Sequence, residues 1–517
     1  MSHAIAREHR HPRLAAVAGA AAAAGALGSS ELVAGLLPGA PSLVLSVGAV
    51  VIDLQPPGAK DFAVALFGTN DKLALEVAVV VASLAIGAGL GVLALRWPAI
   101  ASAAFLAFGA LGFVASLGET AVSPAMAALV AGVAAIVGVQ LLQRLLRLLP
   151  RGPSDEPVAP TMPDWRRRSF LLRSAGLAIG AGVAGVAGRS LLERQRQSPT
   201  QASAQLPRAG EVAALPPGAE LPVPGLTPLI VPNGQFYRID TALIVPSVDL
   251  PSWRLRIHGL VERDTTLTFG SLVALGTIEQ YVTIACVSNE VGGDLVGNAK
   301  WTGVRLRDVL ALAGVRPEAT QLVGRAVDGW TAGMPTAWVM DESREPLIAV
   351  QMNDDPLPLA HGFPARLIVP GLFGYVSATK WLAELELTTW EAFDAYWVPL
   401  GWAKEGPILT QSRIDVPRDR AGLTTGRNTI AGVAWAPDRG VRAVEVSVDG
   451  TWQPATISQP ISDATWVQWR LDWDAPAGDH TLAVRATDGR GDVQTELRSP
   501  PAPDGARGHH TIRVSVG

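Results

Sequence analysis

The chain has 517 residues, of which only 17% are charged, and its formal net charge is −4. This balance gives no electrostatic reason for binding nucleic acid, so no nucleic-acid partner is predicted. A single cysteine, Cys286, excludes an intramolecular disulfide framework and any zinc or iron–sulfur site built from several cysteines. A hydrophobic content of 49% together with 15 tryptophans excludes disorder over most of the chain.

Charge is distributed unevenly, because residues 1–150 carry 15 of the 88 charged side chains. Five apolar runs lie in this stretch, at 14–30, 32–52, 73–95, 97–118 and 120–143. Most of them are long enough to cross a bilayer core of about 30 Å as a helix. The first two runs are separated by Glu31, and the second of them contains two prolines. The pattern predicts a multi-span α-helical transmembrane bundle over residues 1–150.

Arginines flank the runs in a way that predicts their orientation. They lie before residue 14, at Arg96 and after residue 143, and all three groups are expected on the cytoplasmic side. That parity requires one crossing helix and one non-crossing element over residues 14–52. Residues 12–257 contain no histidine, so this bundle cannot supply both ligands of a bis-histidine haem, and no haem is predicted.

Residues 151–190 are predicted to contain a linker, a twin-arginine-like motif and a hydrophobic segment. The motif Arg167-Arg168-Ser169-Phe170-Leu171 is followed by an apolar Gly/Ala-rich run. It resembles the twin-arginine signal, which directs folded proteins across the membrane. The alternative is a positive-inside flank of one more transmembrane helix. Residues 191–224, rich in Gln, Ser, Pro and Ala, are predicted to be a second linker.

Residues 225–400 have the pattern of an α+β domain, in which short apolar segments alternate with turn clusters. Strands are predicted at 253–257, 281–285, 347–352 and 366–369. A helix is predicted to start near Val304 and to end at Gly314. Cys286 follows the strand at 281–285 and precedes a glycine-bearing loop. A thiolate there suits a soft transition metal, although a lone cysteine is more often a buried structural residue.

Four stretches of this region resemble the sulfite-oxidase family of molybdopterin enzymes, and they occur in the family's order. They are Asn-Gly-Gln-Phe-Tyr-Arg at 233–238, the segment that begins with Cys286 at 286–310, and those at 352–371 and 374–381. The resemblance covers about residues 225–517. It implies a sulfite-oxidase-type domain at 225–400 that binds a molybdenum held by a single pterin, and Cys286 matches the family's metal ligand and catalytic cysteine.

The same resemblance implies roles for further residues. The phosphate of the pterin needs cations and donors, which Arg and Lys side chains supply. Tyr396 aligns with the family's catalytic tyrosine near the metal. Thr331 is predicted to approach the site with its neighbours Asp328 and Trp330. The remaining predicted cofactor-binding residues are Tyr237, Arg238, His361, Arg366, Ser377 and Lys380.

One departure from the family pattern bears on the substrate. Sulfite-oxidising members place an arginine five residues after the metal cysteine, whereas this chain has Val291 there, and the next cation is Lys300. An oxyanion substrate loses a counter-charge, so a neutral S- or N-oxide is expected rather than sulfite. The family's bacterial branch includes reductases of methionine sulfoxide, a neutral S-oxide.

Residues 401–517 are predicted to form an all-β sandwich. Alternating strands at 441–452, 466–473 and 480–487 are joined by turns such as Asp449-Gly450. The module resembles the family's immunoglobulin-like dimerisation domain, which implies a homodimer, although such sandwiches also serve as spacers.

Taken together, the sequence predicts a multi-pass protein of the cell membrane, anchored in the lipid bilayer, with its catalytic domain outside the cytoplasm. It acts on a small-molecule substrate and exchanges electrons with a separate partner or a quinone. Three alternatives stay open: a sulfite oxidase or dehydrogenase, a non-enzymatic receptor or scaffold with a degenerate cofactor fold, and a transporter with an outer sensory domain.

Overall fold

The computed structural model describes residues 11–55, 66–67, 71–118, 122–149, 165–196, 207–243 and 245–517. By its internal contacts the chain divides into two units. One comprises Met1–Gln197 with Thr241–Ser247, and the other comprises Ser198–Asp240 with Val248–Gly517.

The first unit is helical over its described residues. The helices are α1 (Pro12–Leu36), α2 (Leu43–Asp53), α3 (Asp71–Ala94), α4 (Pro98–Ser116), α5 (Pro124–Arg147) and α6 (Trp165–Arg196). All except the 11-residue α2 are long and apolar enough to cross a membrane, which makes five candidate spans among the described residues. The predicted linker over 151–164 and most of that over 191–224 lie outside the described residues or have no regular secondary structure.

The expected break at Glu31 is wrong. Glu31 lies inside α1, and the chain leaves the helix after Leu36, just before Pro38, because proline lacks the N–H that a continuing helix requires. Ser42 then caps α2 and donates a hydrogen bond from its hydroxyl to the Glu31 carboxylate at 2.7 Å. The acidic side chain therefore ties the short helix to the long one.

Glycines allow the helices of this unit to approach one another closely. A methyl group on Gly188 of α6 would come within 2.2 Å of the Glu31 carbonyl oxygen on α1. One on Gly19 of α1 would come within 2.0 Å of the Gly87 carbonyl oxygen on α3. Small residues at such crossings are typical of helix packing in membranes. Helix α6, which carries the twin-arginine-like motif, is thus packed into the bundle.

Over its described residues the second unit contains four sheets. Its strands are β1 (Arg254–Gly259), β2 (Thr265–Thr268), β3 (Ile278–Ala285), β4 (Val296–Arg305), β5 (Gln321–Ala326), β6 (Thr331–Pro335), β7 (Leu347–Met352), β8 (Asp355–Pro356), β9 (Arg366–Ile368), β10 (Leu382–Thr388), β11 (Gln411–Val416), β12 (Gly422–Leu423), β13 (Gly426–Trp435), β14 (Val441–Val448), β15 (Thr451–Pro454), β16 (Thr456–Ile457), β17 (Val467–Ala475), β18 (Gly478–Asp488) and β19 (His510–Val516).

Two of the sheets belong to the α+β region, with strand orders β2-β1-β10-β5-β6 and β3-β4-β7-β8, and β9 pairs with β7. Its short helices are α7 (Phe269–Val273), α8 (Leu306–Ala313), α9 (Thr336–Met340) and α10 (Gly374–Ser377). The α+β prediction is confirmed. Val304, however, lies on β4 opposite Ile348, and α8 begins two residues later because the cap residue Arg305 has an extended backbone.

The other two sheets, β11-β13-β17-β16 and β12-β19-β18-β14-β15, lie in the C-terminal region. They share one hydrophobic core that includes Ile430, Trp469, Val446 and Val484. The predicted Asp449-Gly450 turn joins β14 to β15. The all-β character is as expected, and the immunoglobulin-like assignment stays a prediction.

Candidate active site

Cys286 lies immediately after β3, where the chain leaves the sheet. Its side chain is buried, with 8% of the residue exposed. Its N–H donates to the Leu295 carbonyl at 2.9 Å, and its carbonyl accepts from the Asn289 N–H at 3.1 Å. These bonds close the loop between β3 and β4 and fix the thiol at the sheet end. A methyl group on Gly374 of α10 would lie 3.7 Å from the Ala285 carbonyl oxygen, so α10 runs beside the cysteine.

Cys286 and Arg366 both act on the phenol of Tyr237, from separate segments of the chain. Burial raises the pKa of the Tyr237 phenol, negative charge on Cys286 raises it further, and the Arg366 guanidinium opposes both. Tyr237 is therefore close enough to each of the other two residues to feel its charge, although Cys286 is 49 positions and Arg366 is 129 positions further along the chain. The prediction that they form one site agrees with this geometry.

Arg366, at the start of β9, is a buried cation with incomplete partners. The residue is 3% exposed, its Nη1 donates to the His361 carbonyl at 3.1 Å, and its guanidinium stacks over Trp301 at 5.1 Å from the ring centre. Among the described residues its Nε has no hydrogen-bond partner. Burial lowers the pKa of Arg366 to about 10. A buried charge of this kind calls for an anion.

His361 ends a short 3-10 turn and is also buried. Its Nε2 lies 3.2 Å from the Asn233 carbonyl oxygen, and its ring meets the edge of Phe236 at 5.7 Å. Burial lowers the pKa of His361 to about 4, and the charges of Arg366 and Lys380 contribute in the same direction. The imidazole is therefore neutral near pH 7, and it can donate one hydrogen bond without adding charge.

Lys380 completes this side of the site. Its Nζ donates to Asp240 Oδ2 at 3.0 Å and to the Ala360 carbonyl at 3.1 Å. Burial lowers the pKa of Lys380 to about 8, although the charge on Asp240 opposes the shift. Arg238 lies nearby, since its Nε also binds Asp240 Oδ2 at 3.0 Å. Both predicted cations are thus present, and both are paired with a carboxylate that sequence reasoning missed. This carboxylate, Asp240, lies two residues after Arg238, the last residue of the first motif. That proximity was the signal available in the sequence.

The remaining predicted residues occupy two neighbouring places. The Thr331 hydroxyl oxygen on β6 accepts a hydrogen bond from the Tyr396 N–H at 3.0 Å, so these two residues adjoin each other. Ser377 is buried, and its hydroxyl donates to the Phe373 carbonyl at 2.9 Å inside the α10 turn. Asp328 lies close enough to Asp240 and Lys380 for their charges to act on its carboxyl. Roles of Thr331, Tyr396 and Ser377 in binding a cofactor or substrate stay predictions.

The donor set fits an anionic pterin cofactor that brings most of the metal's ligands with it. Among the described residues no group of three or more His, Cys, Asp or Glu side chains is placed to hold a metal ion. One thiol is available, and the unpartnered Nε of Arg366 offers a donor to an anion; both residues act on the phenol of Tyr237. Neutral His361 and cationic Lys380 add hydrogen-bonding capacity of the kind that a pterin and its phosphate require.

Neither Val291 nor Lys300 supplies a cation beside Cys286. Val291 is half-buried in the β3–β4 loop. On β4, Val296 lies opposite Ala285, the neighbour of Cys286, whereas Lys300 lies opposite Tyr281. Lys300 is thus four positions from Val296 along the strand, which is about 14 Å at 3.4 Å per residue. Its ammonium binds Asp354 at 2.5 Å and Glu279 at 3.5 Å. The missing counter-charge is therefore not replaced from this strand.

The low pKa of His361 predicts a loss of stability in acid. The unfolded chain takes up a proton on this side chain as the pH falls below about 6.5, whereas the folded chain resists until about 4. Stability from this residue is therefore full above pH 6.5 and is lost towards pH 4, by up to about 3 kcal/mol. Melting temperatures of the wild type and His361→Gln, measured from pH 7.5 to 4.5, should converge as the pH falls. His258→Gln, a change at a half-buried histidine on β1, is the control. Identical pH profiles for His361→Gln and the wild type would refute the prediction.

Comparison with known proteins agrees with this site. Residues 242–397 match a family described as an oxidoreductase molybdopterin binding domain. Human mitochondrial sulfite oxidase is 31% identical over 320 residues, which cover 52% of this chain and 58% of that protein. The chain thus spans less than two thirds of the mammalian enzyme's length.

Two further proteins are similar over parts of the chain. An uncharacterized oxidoreductase of Bacillus subtilis, YuiH, is 34% identical over 158 residues, which cover 31% of this chain and 76% of YuiH. The crystal structure of the sulfane dehydrogenase SoxCD from Paracoccus pantotrophus superposes with a TM-score of 0.48 at 26% identity, and the match covers 56% of this chain and 81% of that one. On these sequence matches and the thiol–arginine–tyrosine cluster, the chain belongs to the sulfite-oxidase family of molybdopterin-dependent oxidoreductases.

Proposed function

We propose that this protein is a membrane-anchored molybdenum oxidoreductase whose catalytic domain lies outside the cytoplasm, and that it transfers an oxygen atom from a neutral S- or N-oxide. The observation that carries the proposal is the buried guanidinium of Arg366. Its Nε is unpartnered among the described residues, and its charge acts on the phenol of Tyr237, on which Cys286 also acts. The guanidinium therefore supports binding of an anionic cofactor close to this tyrosine.

The residues divide the work of holding the cofactor. Cys286 is the proposed protein ligand to the metal, Arg366 and Lys380 bind the pterin and its phosphate, and His361 donates without adding charge. Tyr237, whose raised pKa keeps the phenol protonated, is placed to donate a hydrogen bond next to the thiolate. When bound, the cofactor supplies a molybdenum centre that exchanges two electrons and one oxygen atom with the substrate.

The reaction balances as a two-electron reduction. An S-oxide takes up two electrons and two protons, its S–O bond breaks, and a sulfide and water are released. No haem-attachment motif is present in the sequence, so the electrons are proposed to come from a separate partner protein or a quinol. Val291 and the engaged Lys300 support a neutral substrate, because a dianion approaching anionic metal ligands needs nearby cations.

The helices support the proposed anchoring. If the five candidate spans all cross the membrane and the preceding arginines lie on the cytoplasmic side, an odd number of crossings puts the chain after α6 outside the cytoplasm, which supports the proposal. One non-crossing element is proposed within residues 14–52, and α2, whose 11 residues rise only about 17 Å, is short enough to be that element. The two C-terminal sheets are proposed as an immunoglobulin-like module through which the protein dimerises.

Export of the catalytic domain is proposed to use the twin-arginine motif at the start of α6. Replacing Arg167 and Arg168 together with lysine keeps the charge but removes both guanidinium groups. The catalytic domain is then expected to stay inside, protected from protease added to spheroplasts. A matched change at Arg144 and Arg147, at the end of α5, should leave the domain exposed to protease. Normal exposure in the first variant would mean that the pair acts only as a topology signal.

The proposed activity is tested on the purified full-length protein. Elemental analysis should find about one molybdenum per chain, whereas a scaffold with a degenerate site would contain none. The protein should reduce small sulfoxides or N-oxides with a reduced dye and should oxidise sulfite poorly with an artificial acceptor. A molybdenum-loaded protein that oxidises sulfite efficiently and reduces none of these oxides would overturn the substrate class.

A further inference from the structure

A single carboxylate, that of Asp240, bridges two cations of the candidate active site. Its Oδ2 lies 3.0 Å from Lys380 Nζ and 3.0 Å from Arg238 Nε, and its Oδ1 lies 3.5 Å from Arg238 Nη2. The Asp240 side chain is only 7% exposed. Desolvation strengthens both pairings, because a buried carboxylate has little water to compete with its cationic partners.

The three cations at this site differ in their access to solvent. Arg366 is buried, Lys380 has 11% of its side chain exposed, and Arg238 has 37% exposed. All three act on the same imidazole, that of His361. Arg238 is therefore the cation among these three that an anion arriving from solution meets first, and it is paired with Asp240 at the same 3.0 Å as Lys380.

A second carboxylate reinforces this arrangement. Asp328, in the turn between β5 and β6, is close enough to Asp240 for the two charges to repel and close enough to Lys380 to be attracted by it. Counted over the described residues, two carboxylates thus lie near the three cations Arg238, Arg366 and Lys380. One positive charge remains, and the buried Arg366 accounts for it.

We propose that Asp240 is a specificity-determining residue that makes the site reject dianionic substrates, because it pairs with Arg238 and Lys380 and lowers the positive charge that they present. The proposal rests on the proposed function and extends it. Val291 occupies the position at which a cation is expected from the family pattern. Asp240 pairs with Arg238, the exposed cation of the site. A neutral oxide is unaffected by this pairing, whereas for sulfite or sulfate the more exposed of the guanidiniums, that of Arg238, is already paired with a carboxylate.

A purely structural role makes a different prediction. If Asp240 only holds Lys380 in place for the pterin phosphate, removing its charge lowers the cofactor content and leaves anion binding unchanged or weaker. If it neutralises Arg238, the cofactor content stays constant and anion affinity rises. Cofactor content and anion affinity, measured on the same preparation, therefore separate the two roles.

The test uses Asp240→Asn in the full-length protein, because asparagine keeps the shape of the side chain and removes its charge. Sulfate binding, measured by equilibrium dialysis at low ionic strength, is expected to tighten at least tenfold, with molybdenum and pterin contents equal to those of the wild type. The gain should shrink as salt is added, since an exposed guanidinium is screened. The control is Asp264→Asn. It breaks the exposed ion pair between Asp264, just before β2, and Arg256 on β1, and it should leave the sulfate affinity unchanged.

A second variant keeps the proposal falsifiable if Asp240→Asn does not fold. Arg238→Gln alone should change sulfate affinity less than twofold, because the wild-type guanidinium is already neutralised. In the Asp240→Asn background the same change should remove the tenfold gain, which a double-mutant cycle reports directly. A large loss of sulfate affinity in Arg238→Gln alone would overturn the proposal.

Two further outcomes would also overturn it: unchanged sulfate affinity in a folded Asp240→Asn protein, and loss of pterin without a gain in sulfate affinity. Failure of the proposed function is a separate result. It shows in the unmodified protein as efficient sulfite turnover, whereas the role of Asp240 is determined by the difference in sulfate affinity between variants.

Discussion

Replacing Cys286 with serine is expected to lower turnover by at least about a thousandfold while leaving the pterin bound. Each factor of ten corresponds to about 1.4 kcal/mol, so the loss represents about 4 kcal/mol or more of transition-state stabilisation. A serine hydroxyl is a far weaker ligand than a thiolate for a soft transition metal. The pterin should remain because Arg366, His361 and Lys380, which are proposed to hold it, are unchanged.

The experiment measures sulfoxide reduction with a reduced dye, together with the pterin and molybdenum contents of the same preparation. Ser288→Ala, in the same loop, is the control and should keep both activity and cofactor. Full activity in Cys286→Ser would refute the assignment of the thiol as the metal ligand. Loss of pterin along with activity would instead show that Cys286 is needed to retain the whole cofactor.

Introducing a guanidinium by Val291→Arg is expected to raise kcat/KM for sulfite by tenfold or more. Two unit charges 4 Å apart interact by about 4 kcal/mol at an effective dielectric of 20, and partial screening by solvent still leaves more than the 1.4 kcal/mol that a factor of ten requires. The receiving loop is well fixed. A side chain on Gly292, whose φ is +81°, would come within 2.3 Å of His510, and Arg413 donates to the Gly293 carbonyl at 2.7 Å.

The matched control is Val291→Met, which adds length without charge and should leave sulfite oxidation as poor as in the wild type. Sulfoxide reduction by Val291→Arg should fall or stay constant, because a neutral substrate gains nothing from the new charge. The rate for sulfite should also decline with ionic strength in the arginine variant alone. An equal improvement with methionine would attribute the effect to packing and contradict the electrostatic explanation.

Local patterns in the sequence were sufficient to predict several features. Apolar runs without charge indicate membrane-spanning helices because burial in lipid demands them over a fixed length, and four of the five candidate spans were recognised in this way. The position of Cys286 at a strand end followed from the apolar segment that precedes it. The order of the family motifs predicted that Arg366, His361 and Lys380 share one site, and the structure brings these three residues together, while their role in binding a cofactor stays a prediction.

Other features depended on packing that no local pattern encodes. Glu31 interrupts an apolar run with a charge, yet the helix continues through it, since glutamate is a good helix former. Its buried carboxylate is hydrogen-bonded by Ser42, eleven residues later. Lys300 resembles a replacement cation, yet the register of β3 and β4 carries it away from Cys286 and towards Glu279 and Asp354.

Asp240 shows the same limit most clearly. It lies 140 residues from Lys380. The two side chains form an ion pair only when the segment after the motif at 233–238 packs against the turn between α10 and β10. Sequence periodicity records which face of an element is buried, and it therefore determined the spans, the strands and the position of the thiol. The net charge that a substrate meets depends on which distant side chains neutralise one another, and only the tertiary structure decided that.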